Sequence, residues 1–198
     1  MNDAEVSVRR VGAAEGTARA DAQAQALAGL LIDCVEGGAS VGFMLPLPPE
    51  RALAFGRGVV DGAARGERVL LVAEDRDGRV VGTVQLVTAQ PDNQPHRADV
   101  AKMLVHRSAR RRGIAQRLMA AVDSAAREAG KSVLVLDTVT GGDAERLYQR
   151  AGWQRVGVVP NYALMPAGEF CATTFFFKQL CRRSPTRPRP PSSSCIEA

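Results

Sequence analysis

Aromatic residues make up only 5% of this 198-residue chain, so the core it builds must be aliphatic. Histidine occurs twice, and the four cysteines (Cys34, Cys171, Cys181, Cys195) never take a C-x-x-C spacing. That pattern leaves no basis for a structural zinc site, and no metal centre is expected. No apolar run reaches the roughly 18 residues needed to cross a bilayer, and the N-terminus is acidic and polar. These absences predict a cytoplasmic protein with free thiols and no membrane partner. No internal repeat is present.

Acidic balance is also lacking: the net charge is +5. Its distribution decides what this means. The last eighteen residues hold Arg182, Arg183, Arg187 and Arg189 against Glu197, so residues 1–180 carry only +2. The other basic focus is Arg107, Arg110, Arg111 and Arg112. A focal cluster suits one small polyanion, whereas a nucleic-acid backbone wants a stripe. No aromatic residue interleaves with these arginines and no helix-turn-helix pattern is visible, so no nucleic-acid partner is expected.

What is present is a regular succession of periodic segments. Val6 to Val11 alternates as a short strand. Ala18 to Glu36 places Leu27, Leu30, Leu31 and Cys34/Val35 at helical spacing and stops at Gly37-Gly38. Pro48-Pro49-Glu50 opens a second helix that ends near Arg65-Gly66. Val69 to Ala73 reads as a buried strand, Asp77-Gly78 as a hairpin turn, and Val80 to Val87 as the returning strand. Ala98 to Val105 is a further strand. Ile114, Leu118, Val122, Ala125 and Ala129 form one helical stripe closed by Gly130. Val133 to Leu136, Asp143 to Ala151, Trp153 to Val159 and Thr173 to Lys178 supply strand, helix, strand and strand. The order predicts an α/β (α+β) domain over residues 1–180, with a mixed central sheet flanked by helices on both faces. Residues 181–198, rich in Arg, Pro and Ser, cannot bury enough apolar surface to order and are expected to be a disordered tail.

The segment richest in chemistry is Arg110-Arg111-Arg112-Gly113-Ile114-Ala115. It links an apolar strand end, Met103-Leu104-Val105, to a helix start. A turn of this kind offers unpaired backbone N–H groups and positive charge together, which suits a phosphate-bearing ligand.

Arg-x-x-Gly-x-Ala at Arg110, Gly113 and Ala115 resembles the acetyl-coenzyme A motif of the GNAT superfamily of N-acetyltransferases. Ala144 to Trp153, with Tyr148, looks like that family's last helix and the strand after it. Gly37 to Met44, Arg97-Ala98-Asp99-Val100, Leu136-Asp137-Thr138 and Phe176-Phe177-Lys178 further resemble the tabtoxin-resistance acetyltransferases, which acetylate tabtoxinine-β-lactam. Asp99 stands where that group has Glu, one methylene longer. The resemblance implies a single GNAT-like domain, acetyl-CoA as cosubstrate and a small-molecule amine as acceptor, with antibiotic or toxin resistance as a role. It implies a monomer or homodimer. The rival readings are a protein or peptide N-acetyltransferase on the same fold, and a non-enzymatic nucleic-acid binder using the arginine cluster and the tail.

Under the resemblance the pyrophosphate is expected at the N–H groups of Arg111, Arg112, Gly113, Ile114, Ala115 and Gln116. Arg110, Arg111 and Arg112 would add charge-assisted contacts. Gly113 would allow close backbone approach. The strand end Met103, Leu104 and Val105 would pair with the pantetheine arm, and an N–H near Val105 would receive the developing oxyanion. Asp143 is expected either to hydrogen-bond the pantetheine or to cap its helix. Tyr148 is expected to donate a proton or hydrogen bond to the departing sulfur. Asp99 and Asp137 are candidates for general base or for anchor of the substrate ammonium; as a base, a carboxylate of pKa about 4 needs a water relay or a raised pKa. His96 and His106 are lesser candidates. Ser40, Phe43 and Met44 either line the acceptor pocket or pack in the core.

Overall fold

A computed structural model describes residues 6–12 and 16–180. The predicted tail, with Cys181 and Cys195, lies outside the described residues. The elements run β1 (Ser7–Arg10), α1 (Thr17–Glu36), α2 (Pro49–Ala64), β2 (Arg68–Glu74), β3 (Val80–Val87), β4 (Arg97–Val105), α3 (Ile114–Glu128), β5 (Val133–Val139), α4 (Asp143–Arg150), β6 (Gln154–Leu164) and β7 (Phe170–Gln179). A single 3-10 turn, Arg107–Ala109, precedes α3. The seven strands form one sheet in the order β1-β2-β3-β4-β5-β7-β6, antiparallel except for the β4–β5 pair.

The period-two alternation of β2 sorts the helices onto two faces. Leu70 and Val72 pack with Ala24 and Leu27 of α1 and Val59 and Val60 of α2. Val69, Leu71 and Ala73 face the other way, onto Ile114, Leu118 and Val122 of α3. The stripe read from sequence is thus the buried face of α3 as far as Ala125, whereas Ala129 is the exposed C-cap. Burying each of its large side chains contributes about 1.5–3 kcal/mol. The helix closes as its glycine predicts: the Gly130 N–H bonds Arg127 O at 3.1 Å and the Lys131 N–H bonds Ala126 O at 2.8 Å. Leu134 and Leu136 of β5, Tyr148 of α4, Trp153 and Phe176 of β7 extend this cluster. α1 and α2 therefore cover one face, and α3 and α4 the other.

Two strands run beyond their predicted ends. β5 continues through Asp137, Thr138 and Val139 because these residues pair with Phe175, Thr174 and Thr173 of β7. β6 continues to Leu164 through register shifts that include a break between Val159 and Ala163. Neither extension has an apolar alternation of its own; pairing with β7 supplies it.

Two irregularities near the middle of the sheet matter for function. First, β4 and β5 pair only over Arg97–Asp99 with Val133–Val135, and then part. Second, the β3–β4 register jumps between Thr83 and Gln85, and Lys102 takes a φ of 52° in the jump. This bulge reverses the facing of β4. Ala98 and Val100 point toward α3, whereas Leu104 packs with Leu31 and Val35 of α1.

Candidate functional site

Where β4 leaves β5, its backbone from Val100 to Val105 keeps β3 on one side and, among the described residues, has no strand partner on the other. Main-chain donors and acceptors are therefore presented along an open slot, a geometry that accepts an extended amide-bearing chain as an added strand. Met103, Leu104 and Val105 lie on this slot. The Val105 carbonyl is already engaged, by Arg110 Nε at 3.3 Å and by the Cys34 thiol at 3.6 Å.

The slot leads into the arginine turn. Arg111 and Gly113 both have left-handed backbones, with φ of 62° and 71°. Alternating hand through a turn aims successive N–H groups into one concavity. Among the described residues, no acceptor meets the N–H groups of Arg111, Gly113, Ile114, Ala115 or Gln116. Gly113 caps α3 with no side-chain hydrogen bond, and Ile114 is buried beneath it. The positive end of the α3 dipole adds to this cradle. Its shape is held from behind. The Arg107 backbone N–H and Nε each donate to Asp33 of α1 at 2.8 Å, and Arg107 Nη2 reaches Glu36 at 3.4 Å. Burial pushes the Asp33 pKa upward, but these donors and the nearby His106 outweigh it and hold the carboxyl below its ordinary range.

Further polar side chains lie on both faces of the sheet. On the α3–α4 face, Tyr148 is buried with its ring 6.1 Å from Trp153 and 6.0 Å from Phe176. Burial first, and the negative charge of Asp137 second, raise its phenol pKa far above the ordinary value, so it stays protonated. On the α1–α2 face lies Asp137, opposite in phase to the buried Leu136 and paired in register with Phe175. Its carboxylate reaches solvent, yet protein crowds its other sides. That lost hydration raises its pKa, with Asp99 contributing, against the pull of Lys102. Tyr162 of β6 stands edge-on to Phe175, with centroids 5.4 Å apart. The α1–α2 loop roofs this side: Ser40 Oγ donates to Leu164 O at 2.8 Å, and the Leu45 N–H to Pro166 O at 2.9 Å.

A family model for the acetyltransferase (GNAT) domain matches residues 65–155, the segment from the start of β2 into β6. Over this segment the chain is similar to GNAT acetyltransferases. An uncharacterized N-acetyltransferase from the hisH-hisA intergenic region of Azospirillum brasilense is 36% identical over 107 residues. That match covers 53% of this chain, which spans 61% of the relative's length. The fold is shared with solved structures. One is yncA from Salmonella typhimurium, solved with its cofactor acetyl-CoA (TM-score 0.72, 18% identity, 92% of this chain and 98% of that one). Another is the ribosomal-protein-alanine N-acetyltransferase from Brucella melitensis (TM-score 0.71, 23% identity, 88% and 99%). GNAT acetyltransferases use acetyl-CoA.

The predicted site residues separate into groups. Asp137 acts on Tyr148 through its charge, and Met103 to Gln116 run without a break from slot to cradle. Asp99 lies on the same face as Asp137, but its carboxylate already accepts from Arg97 and from Gln90 Nε2, the latter at 3.1 Å. Asp143 does not cap α4. The cap is Gly142, in extended backbone, and Asp143 is the first helical residue, its side chain 90% exposed and paired with Arg146. His106 is structural: its Nδ1 accepts from the Ser108 N–H at 3.2 Å, and its Nε2 lies 3.4 Å from Asp33. His96 is exposed. Phe43 packs edge-on against Phe55 at 5.3 Å, Ser40 ties the loop to β6, and Met44 is exposed. One polar residue was not anticipated from sequence. Lys102 has its Nζ beside the α1–α2 loop, at Gly42, and shares an electrostatic field with Asp137. Its signal was a lysine in the inward phase of Ala98, Val100 and Leu104. The bulge that turns it toward the loop leaves no mark in the residue pattern.

Among the described residues, no helix is long and apolar enough to cross a membrane.

Proposed function

We propose that this chain is an acetyl-CoA-dependent N-acetyltransferase whose acceptor is the amine of a small, amino-acid-like molecule. The observation that carries the reading is the unpaired β4 edge running directly into the donor-lined start of α3. A pantetheine arm needs main-chain partners and a diphosphate needs convergent N–H groups; these two features supply them in that order. Acetyl-CoA would contribute a thioester-activated acetyl group. In the reaction an N–C bond forms, the C–S bond breaks, the amine gives up a proton and the sulfur gains one.

The side chains then take distinct roles. Asp137 attracts a cationic amine and, with its pKa raised, receives the amine proton directly or through water. Asp99, with its carboxylate engaged by Arg97 and Gln90, contributes through its charge on Asp137. Tyr148, protonated and desolvated beyond the slot, donates to the departing sulfur. The loop tied across to β6 favours a small acceptor over an extended peptide. A nucleic-acid role is weakened because Arg107 is held by Asp33 and Glu36, and Arg110 folds onto the Val105 carbonyl. An amino-acid-like inhibitor of the tabtoxinine-β-lactam type belongs to this acceptor class, with detoxification as the corresponding role.

The test is a screen of amines, amino acids and amino-acid-like toxins, read by free-thiol release from acetyl-CoA and accompanied by thermal unfolding with the same ligand. The reading expects a Tm rise of several degrees with acetyl-CoA and thiol release with at least one small amine. No Tm shift at saturating acetyl-CoA, together with no thiol release, would overturn it.

A further inference from the structure

Lys102 raises a question that acetyl transfer by itself does not answer. It occupies the middle of a strand in a conformation that L-residues seldom adopt, with φ of 52°. Backbone of this kind costs free energy and persists where surrounding structure enforces it, often at binding sites. Lys102 is half-buried, and that burial lowers its pKa. Among the described residues it makes no hydrogen bond, and no carboxylate lies within salt-bridge distance. A charge partly withdrawn from water and left this way is costly unless something pairs with it.

The surroundings show what is missing. The charge acting on Lys102 is that of Asp137, which restores part of its pKa. Lys102 in turn lowers the pKa of Asp137. The two groups feel each other across the α1–α2 face without closing into an ion pair. Gly42, at φ of 86°, presents no side chain to the ammonium; a Cβ built there would lie 3.8 Å from Nζ. Phe175, the register partner of Asp137, and Tyr162 against it form an aromatic wall beside the carboxylate. A cation and an anion held apart on one face of the sheet complement a ligand carrying both charges in the opposite order. Such a ligand has an ammonium and a carboxylate on neighbouring atoms, as an amino acid does.

We propose that Lys102 is a specificity-determining residue that receives the carboxylate of an amino-acid acceptor whose amine is held at Asp137. The proposal rests on the acetyltransferase reading above and narrows its acceptor to molecules that keep a carboxylate beside the amine. The bulge in β4 is then the device that swings a lysine from the strand's core phase into the acceptor chamber. No bond to Lys102 forms or breaks; its contribution is a charge-assisted hydrogen bond, present before and during transfer.

The test compares the twenty L-amino acids with their carboxamides as acceptors, for the wild-type protein and for Lys102→Met, Lys102→Asn and Lys102→Arg. Asn tolerates left-handed backbone, so Lys102→Asn preserves the bulge where Met strains it. The Tm rise with acetyl-CoA verifies that each variant folds and binds its cosubstrate. In the wild type, kcat/KM for an acetylated amino acid should exceed that for its carboxamide by on the order of tenfold to a hundredfold. Lys102→Met and Lys102→Asn should bring the ratio close to one, chiefly through KM for the acid, and Lys102→Arg should retain part of it. Three outcomes overturn the proposal while leaving the acetyltransferase reading standing: equal use of acid and amide by the wild type, activity on other amines but on no amino acid, or an undiminished ratio in both neutral variants. A loss of kcat on acid and amide alike would assign Lys102 to positioning Asp137 and would also overturn it. Absence of both thiol release and a Tm shift defeats the two readings together.

Discussion

The cradle at the start of α3 and the chamber on the α1–α2 face share one slot and are built in opposite ways. The cradle is made of main chain. It uses contiguous residues from Val100 to Gln116 and depends on the left-handed backbones of Arg111 and Gly113 and on the N–H groups of Gly113 to Gln116, which meet no acceptor among the described residues. The chamber is made of side chains: Lys102 from β4, Asp137 from β5, Phe175 from β7, Tyr162 from β6, and a loop carrying Gly42. Tyr148 lies on the far face of the sheet, in the main core cluster. The difference teaches that cosubstrate recognition here is a matter of conformation, while acceptor choice is a matter of which groups the sheet brings together.

Damage to the support that both regions share should not discriminate between them. Leu118 is fully buried under β3 and β4 in the main core cluster. Leu118→Ala should cost about 2–5 kcal/mol of unfolding free energy by denaturant titration, with the ratio of rates on different acceptors unchanged. A changed ratio would mean that the chamber and the core are coupled.

Chemistry should separate from binding at Tyr148. Its ring packs on Trp153 and Phe176, so Tyr148→Phe retains the packing and removes only the hydroxyl. Steady-state kinetics should show kcat lowered by on the order of a hundredfold, with the Kd for acetyl-CoA little altered. Unchanged kcat would remove the phenol from the mechanism.

A backbone change should do the reverse. Gly113 holds φ of 71° with open space where a Cβ would project, so the penalty of a side chain is conformational and not steric crowding by neighbours. Gly113→Val places a β-branched residue in the left-handed region. Calorimetric titration should show acetyl-CoA binding weakened by on the order of tenfold, since about 1–2 kcal/mol opposes that conformation. Unaltered affinity would show that the cradle does not rely on this backbone.

The smallest expected effect lies behind the cradle. The pKa of Asp33 is lowered in the folded state relative to its ordinary 3.8. The stability it contributes is therefore fully present above 3.8 and is lost as pH falls through the depressed value. Asp33→Asn should lower the Tm by roughly a few degrees near neutral pH, and the gap should close in strong acid. A gap that persists in strong acid would mean that the carboxylate's charge is not what holds Arg107.

The two regions also differ in how far residue order reveals them. The cradle was legible because its chemistry is local: Arg110 to Ala115, between an apolar strand and the Ile114-Leu118-Val122 stripe, states strand, turn and helix in one segment. The two faces of the sheet followed from β2 and α3 for the same reason. The chamber was only partly legible. Asp137 could be placed at a strand end, but the continuation of β5 through it depends on Phe175 and Thr174 across the ladder. Asp99 and Asp137 look equivalent as residues; Arg97 and Gln90 make them different. Asp143 looked like a cap, yet Gly142 takes that place because an extended glycine before the helix leaves Asp143 at its first turn. Lys102 was missed because a bulge is set by the register between two strands, and no local pattern encodes it.

Hydrogen exchange of the protein with and without acetyl-CoA tests the central claim most directly. If the cosubstrate lies along the open β4 edge and on the α3 cradle, amide protection should rise in residues 100–116 while β1 and β2 stay unchanged. Protection that appears elsewhere and spares the 111–116 amides would contradict the account.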